Sequence, residues 1–338
     1  MKYTAQDFKS NQEVRWCPGC GDHAVISSLH RALPDVCEQL GLSKENLVVV
    51  SGIGCSSRLP YYMNTFGFHS IHGRATAIST GIKVANPDLS VWQATGDGDS
   101  MAIGGNHFIH AIRRNVDMNI ILLNNQNYAL TKGQYSPTSK LGAITKTSPY
   151  GTVERPFTPG ALVLGARGTF FARSLDSEIK LNQEIFIEAA KHKGTSVVEM
   201  LVNCVIFNDG AHSIISDREN RADRTIVLKH GEKMIFGKNK DKGIILDGQG
   251  LKVVTIGENG VTEDDILVHD AHCESAGIHN MLVDMKYPDF PVALGVIRDV
   301  KAATYDEAVK DQVIEVTGKS NIKSGEERLH SGASCEVK

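Results

Sequence analysis

Asp97 sits between two glycines in the run Thr95-Gly96-Asp97-Gly98-Asp99-Ser100, and Asn125 ends the run Leu122-Leu123-Asn124-Asn125. Mg²⁺ takes hard oxygen ligands in a tight octahedron and commonly shares them between a carboxylate and phosphate oxygens. Asp97 supplies the carboxylate, and its flanking glycines let the backbone approach a ligand closely. A helix opening just after it would present N–H groups to a diphosphate. Asn125 offers an amide oxygen one βαβ unit later, and the carbonyl of Asn127 could complete the protein's share. Taken alone, Gly-Asp-Gly is a weak signal, because a glycine turn after a strand is commonly structural. The second half at this spacing is what gives it weight.

A second chemistry is carried by cysteines. Cys17 and Cys20 lie in Trp16-Cys17-Pro18-Gly19-Cys20-Gly21, Cys55 follows Gly52-Ile53-Gly54, and Cys204 ends Glu199-Met200-Leu201-Val202-Asn203. Four thiolates can hold zinc or an iron–sulfur cluster, and spacing does not separate the two. One close pair joined by two distant singles is the pattern of a cluster buried within a fold, whereas structural zinc usually gathers two close pairs. The bland alternative keeps Cys55 and Cys204 as buried strand-end residues. Cys37 reads as a core residue of a helix, and Cys273 and Cys335 have no visible partner.

These groups need elements to hold them at one place. Val25, Leu29, Ala32, Leu33, Val36 and Leu40 recur at helical spacing behind Asp22, a candidate N-cap. Leu47 to Val50 reads as a buried strand, residues 76–84 as a helix, and Leu89 to Ala94 as a strand running into Gly96. Residues 103–113 suggest a helix, Asn119 to Leu123 a strand, 178–190 a helix and Val197 to Leu201 a strand. Short apolar strands alternating with helices imply an α/β fold, a parallel sheet with helices on both faces. In such sheets ligands bind beyond the carboxyl ends of the strands, which is where every motif but the N-terminal cysteine pair falls. From about residue 210 the texture becomes more charged and richer in glycine. Residues 1–214 are therefore read as the cofactor-binding domain and 215–338 as a C-terminal extension, with a strand at 251–256 and a polar, mobile tail.

The chain has 338 residues, 41% of them hydrophobic, and a net charge of -3. Such a balance gives no reason to expect nucleic acid or an anionic membrane as partner. No apolar run approaches the roughly 20 residues that span a bilayer, and the first residues lack the apolar core of a signal peptide. A cytoplasmic location is the expectation. With seven cysteines in a reducing compartment, metal or redox roles gain over disulfides.

The Gly-Asp-Gly and Asn-Asn pair resembles the Mg²⁺-diphosphate motif of thiamine diphosphate enzymes. WCPGCG, GIGCSSR, HGRA, TGDGD, LLNNQNYALTKGQYSPTS and NCVIFND, in that order, resemble the β subunits of 2-oxoacid:ferredoxin oxidoreductases, and the wording NCVIFNDGAH resembles the 2-oxoglutarate-oxidising branch. The resemblance implies the thiamine diphosphate-binding fold and a [4Fe–4S] cluster on Cys17, Cys20, Cys55 and Cys204. It implies Mg²⁺ on Asp97, Asn125 and the Asn127 carbonyl, with Gly96, Gly98, Asp99, Leu130 and Thr131 lining the cofactor. His72 and Arg74 are expected to face the cofactor or substrate. A separate α subunit is expected to complete the active site, in a dimer of αβ heterodimers. Coenzyme A is expected to release the acyl product after decarboxylation, and ferredoxin to take the electrons away.

One departure bears on substrate. Many relatives read TGGQ where this chain has Thr131-Lys132-Gly133-Gln134. Lys132 could pair with the second carboxylate that 2-oxoglutarate carries and pyruvate lacks, with Arg58 assisting through a bidentate contact. The bland reading of Lys132 is a solvated loop lysine. Pyruvate or branched 2-oxoacids are the alternative substrates. A cluster-free thiamine diphosphate decarboxylase or carboligase would leave the cysteines idle, and a zinc-stapled interaction subunit would leave the glycine turns merely structural.

Overall fold

The computed structural model describes residues 2–322, 324–333 and 335. Its strands are β1 (Leu47–Ser51), β2 (Phe66–His69), β3 (Ser90–Gly96), β4 (Met118–Asn124), β5 (Phe170–Leu175), β6 (Thr195–Leu201), β7 (Thr225–Leu228), β8 (Ile235–Phe236), β9 (Lys242–Asp247), β10 (Gly250–Thr255) and β11 (Val292–Asp299). The longer helices are α1 (Asp22–Leu40), α2 (Ala75–Ala85), α3 (Gly105–Arg114), α4 (Pro159–Gly165) and α5 (Ile179–Lys191). After them come the one-turn α6 (Ser213–Ser216) and α7 (Arg221–Arg224), then α8 (Gly277–Asp284), α9 (Tyr305–Lys319) and α10 (Gly325–Leu329).

Eight strands form one sheet in the order β2-β1-β3-β4-β6-β5-β11-β7. Every neighbouring pair is parallel except β5 with β11. The sheet is therefore mostly parallel, with one antiparallel join. β1, β4, β5 and β6 are buried along their whole length, as expected for strands covered on both faces. Alternate residues of one strand feed two different cores. Val48, Val50, Ile120 and Leu122 enter the core that holds Phe108 and Ile112 of α3 and Leu282 of α8. Leu47, Val49, Ile121 and Leu123 enter the core made with α1 and α5.

Most elements fall where the apolar patterns place them. The first helix differs at its start: Gly21, not Asp22, is the N-cap, and Asp22 is the first helical residue, buried. The helix expected from 103 begins at Gly105, because Asp99–Ile103 forms a π-helical turn first. Residues after 215 add β7 and β11 to the main sheet and form the small antiparallel sheet β10-β9-β8. Cys37 is in the core. In the tail, the described residues include the exposed helix α10, while residues 323, 334 and 336–338 lie outside the described set. No helix among the described residues is long and apolar enough to cross a membrane.

Candidate functional site

The chemistry-bearing residues leave the sheet at four adjacent strands. Cys55 follows β1, Asp97 follows β3, Asn125 follows β4 and Cys204 follows β6, and these strands are neighbours in that order. The parallel register aligns their carboxyl ends, with Gly96 opposite Leu123 and Asn124 opposite Leu201.

Asp97 is 1% exposed. Burial pushes its carboxyl up to about 6, against the pull of hydroxyl bonds from Ser136 and Thr138. Both hydroxyls donate to the same oxygen, Oδ2, at 2.5 Å, and among the described residues Asp97 forms no salt bridge. A buried acid without a counter-charge favours a bound cation. Asn125 Oδ1 accepts from the Asn127 backbone N–H at 3.1 Å, and Asn208 Nδ2 donates to the Asn125 carbonyl at 3.0 Å. Asn127 Oδ1 is buried with no hydrogen-bond partner among the described residues, an orphan acceptor beside the same loop. Gly98 is required at its position. The Tyr128 ring lies over it so closely that a Cβ would fall 2.3 Å from the ring, and the Tyr128 hydroxyl donates to the Gly98 carbonyl at 3.1 Å.

The Asp99 carboxylate is taken up by four hydrogen bonds. It accepts from the N–H of Ile53 (3.1 Å), the N–H of Gly73 (2.7 Å), Thr95 Oγ1 (2.8 Å) and His72 Nδ1 (2.6 Å). Those four bonds tie the loops after β1 and β2 to the end of β3. A Cβ on Gly52 would fall 1.9 Å from the same carboxylate, so glycine is what admits it. A carboxylate only accepts, which puts the proton of neutral His72 on Nδ1 and leaves Nε2 as its free acceptor. The His72 ring meets Tyr128 edge to face at 6.1 Å. Asp99→Ala should orphan the buried N–H of Gly73 and the half-buried N–H of Ile53 and cost about 2–4 kcal/mol. Urea denaturation reads that loss directly, and a change below about 0.5 kcal/mol would show that the knot carries no weight.

The four cysteines line one cavity of about 180 Å³, together with Trp16, Arg58, Asn125, Ala129 and Leu130. All four are free thiols. Gly19 turns the Cys17–Cys20 loop at φ 82°, the Gly21 N–H donates to the Asn203 carbonyl at 3.1 Å, and Trp16 Nε1 donates to the Cys55 carbonyl at 2.7 Å. These bonds draw the N-terminal pair onto the ends of β1 and β6. Burial pushes the Cys20 thiol well above the ordinary thiol range, with Asp22 adding to it. It pushes Cys55 up to about 11, with contributions from Asp22 and Cys204. Asp22 itself is raised to about 7, by burial first and then by Asp176.

The remaining expected residues are placed unequally. Arg58 is half-buried and borders both the cysteine cavity and the groove beside it. Leu130 borders both as well, whereas Thr131 is exposed, with its hydroxyl on Gln134 Oε1 at 2.5 Å. Lys132 is exposed at the tip of the Tyr128–Gln134 turn, with φ 77°, and Arg74 is an exposed residue ahead of α2. Neither lines the cysteine cavity. Ser136, Thr138 and Tyr128 carry no chemical motif of their own in the sequence. The hydroxyl-rich run Ser136-Pro137-Thr138-Ser139 after the cofactor loop was their only signal.

Residues 52–200 match the family model described as thiamine pyrophosphate enzyme, C-terminal TPP binding domain. The class is therefore a thiamine diphosphate-binding α/β domain. Over 327 residues the chain is 46% identical to 2-oxoglutarate oxidoreductase subunit KorB of Mycobacterium tuberculosis, covering 96% of this chain and 85% of that one. It is 46% identical over 189 residues to 2-oxoglutarate synthase subunit KorB of Archaeoglobus fulgidus, covering 56% of this chain and 69% of that one. Among solved structures it is similar to a 2-oxoglutarate:ferredoxin oxidoreductase from Magnetococcus marinus with 2-oxoglutarate, coenzyme A and succinyl-CoA bound. That match has a TM-score of 0.74 and 29% identity, and covers 97% of this chain and 95% of that one. The chain belongs to the β-subunit family of the 2-oxoacid:ferredoxin oxidoreductases, the enzymes that oxidise 2-oxoglutarate among them.

Proposed function

We propose that this β subunit holds thiamine diphosphate with Mg²⁺ and a [4Fe–4S] cluster, and that with an α subunit it converts 2-oxoglutarate and coenzyme A to succinyl-CoA and CO₂. Electrons would pass to ferredoxin, or the reaction would run in reverse as reductive carboxylation. The observation that carries this reading is that Asn125, Ala129 and Leu130, on the loop beside Asp97, also wall the cavity of the four cysteines. The two cofactors would then share a wall.

The residues present fit both groups. Mg²⁺ keeps several waters and phosphate oxygens and asks few ligands of the protein, which suits Asp97 with Asn125 and the Asn127 carbonyl. Among the described residues, no three His, Cys, Asp or Glu side chains are gathered as a site for a single ion. Tetrahedral zinc would need all four sulfurs about 2.3 Å from one ion, whereas a four-iron cluster gives each thiolate its own iron. Four thiols around one cavity can hold either, and the place of the chain among ferredoxin-dependent oxidoreductases favours the cluster.

When bound, thiamine diphosphate supplies the nucleophilic carbon and the electron sink for decarboxylation. The chain's own residues do the rest. Asp97 would leave Oδ1 for the cation, because Ser136 and Thr138 already occupy Oδ2. Asp99 orients the His72 ring through Nδ1, which would leave Nε2 for a hydrogen bond to bound cofactor or substrate. Tyr128 covers Gly98. No glutamate of this chain lies among the site residues described above, consistent with an α subunit that completes the active site. A cytoplasmic location and a dimer of αβ heterodimers belong to the same proposal.

Lys132 is proposed to read the distal carboxylate, since its amine is exposed and makes no ion pair among the described residues. In the co-purified complex, ferredoxin reduction should be fastest with 2-oxoglutarate among a panel of 2-oxoacids. Lys132→Ala should lower kcat/KM for 2-oxoglutarate roughly tenfold while leaving pyruvate nearly unchanged. Equal losses on both substrates would remove the lysine from the substrate contact. A panel led by pyruvate would move the chain to another branch of the family.

A further inference from the structure

A second chamber, of about 370 Å³, opens on the other side of the end of β4. Asn124 lines it, whereas the next residue, Asn125, lines the cysteine cavity. Its apolar wall comes from Phe157 and Pro159, leading into α4, and from Val283, Met285 and Tyr287 around the end of α8. This size falls within the range of sites for small molecules.

The charge in the chamber is unbalanced. Arg173, Lys140 and Lys286 line it against one carboxylate, Glu199. Glu199 is already committed: Arg173 Nε donates to it at 2.7 Å and Asn124 Nδ2 at 2.8 Å. The two lysines are therefore unneutralised. Each has a single bond at 3.5 Å, Lys140 to the Ala211 carbonyl and Lys286 to the Thr158 hydroxyl, the outer limit of a hydrogen bond. Neither forms an ion pair among the described residues. Both are exposed, and a pair of solvated lysines is the plain alternative. What argues against it is their convergence on one apolar chamber in a chain whose net charge is -3. Two amines facing a greasy wall complement an organic anion.

We propose that this chamber binds a small organic anion, a carboxylate or phosphate monoester on an apolar body, with Lys140 and Lys286 holding the headgroup. Neither Asp97 nor any of the four cysteines lines the chamber, although Thr138, whose hydroxyl donates to Asp97 Oδ2, borders both sites; the two lysines that carry the proposal take no part in the cofactor sites. The test is ¹⁹F NMR on the co-purified complex with 4-fluorobenzoate and 4-fluorophenyl phosphate, and with inorganic phosphate as competitor. Saturable broadening of either probe is expected, weakened roughly tenfold by Lys286→Ala and further by the double change with Lys140→Ala. Lys252→Ala, on β10, should leave it unchanged. Which probe binds more tightly identifies the headgroup. Displacement by phosphate at comparable concentration would overturn the role of the apolar wall. Absence of saturable binding, or equal affinity in the double variant and the native complex, would overturn the site.

Discussion

Asp97→Asn is expected to abolish Mg²⁺-dependent binding of thiamine diphosphate and to cut turnover of the complex by roughly a thousandfold or more. The same change should leave the cofactor-free chain more stable at neutral pH. The first effect follows from the loss of the buried carboxylate proposed to hold Mg²⁺, since an amide keeps the shape and the hydroxyl contacts but not the charge. The second follows from the direction of the shift. Burial raises the carboxyl from 3.8 to about 6, so the folded metal-free chain holds that proton more tightly than the unfolded chain does. The stability this contributes is fully present below about pH 4 and is lost as pH rises through about 6. At pH 7.5 the ionised acid costs about 3 kcal/mol relative to an unshifted one, a cost asparagine does not carry. Urea denaturation of metal-free protein should therefore show the variant gaining on the native chain at pH 7.5 and losing that advantage near pH 4.5. Titration calorimetry with thiamine diphosphate and Mg²⁺ reads the other half. Retained cofactor binding would remove Asp97 from the metal, and lower stability at both pH values would make it a structural residue.

The strands that carry the site were legible because a sheet buried on both faces demands unbroken apolar runs. Leu47 to Val50 and Asn119 to Leu123 announce themselves on that ground alone. β2 does not: it is an edge strand, and all four of its residues are exposed, so no burial pattern marks it. β5 and β11 were also passed over. Phe170–Leu175 carries Arg173 and Ser174 within a buried strand, and the charge masks the run because its partner, Glu199, lies on another strand. Asp97, Asn125 and the cysteines stand out in the sequence by residue type and spacing, and the sheet brings Asp97, Asn125, Cys55 and Cys204 to the ends of adjacent strands. Asp99 reads in the sequence only as a phosphate-lining residue, and its carboxylate contacts cannot be read there. Its work is set by Ile53, His72 and Gly73, which only the folded sheet brings to it. Ser136 and Thr138 were hidden for a related reason: an ordinary turn sequence becomes part of the site only when the loop after β4 folds back over Asp97.

Cys204→Ser should remove the cluster while sparing the thiamine diphosphate site. Anaerobically prepared native protein is expected to be brown and to contain about four irons per chain with matching acid-labile sulfide. The variant should be nearly colourless, with ferredoxin reduction down roughly a hundredfold or more. Serine preserves the packing of this buried position but offers iron a poorer ligand. Cys335→Ser, on an exposed cysteine outside the cavity, should retain full iron and activity. Assembly should also depend on pH. Burial raises the Cys20 and Cys55 thiols, so at pH 7 both are protonated, and loading iron must release those protons. Reconstitution from apo-protein, iron and sulfide should accordingly proceed further at pH 8.5 than at pH 7. Stoichiometric zinc without iron in the native preparation would replace the cluster with a structural metal. Loss of thiamine diphosphate binding in Cys204→Ser would have a different meaning. The Asn208 amide, four residues on, holds the Asn125 carbonyl, so the wall between the two cofactors would then depend on the cluster for its shape.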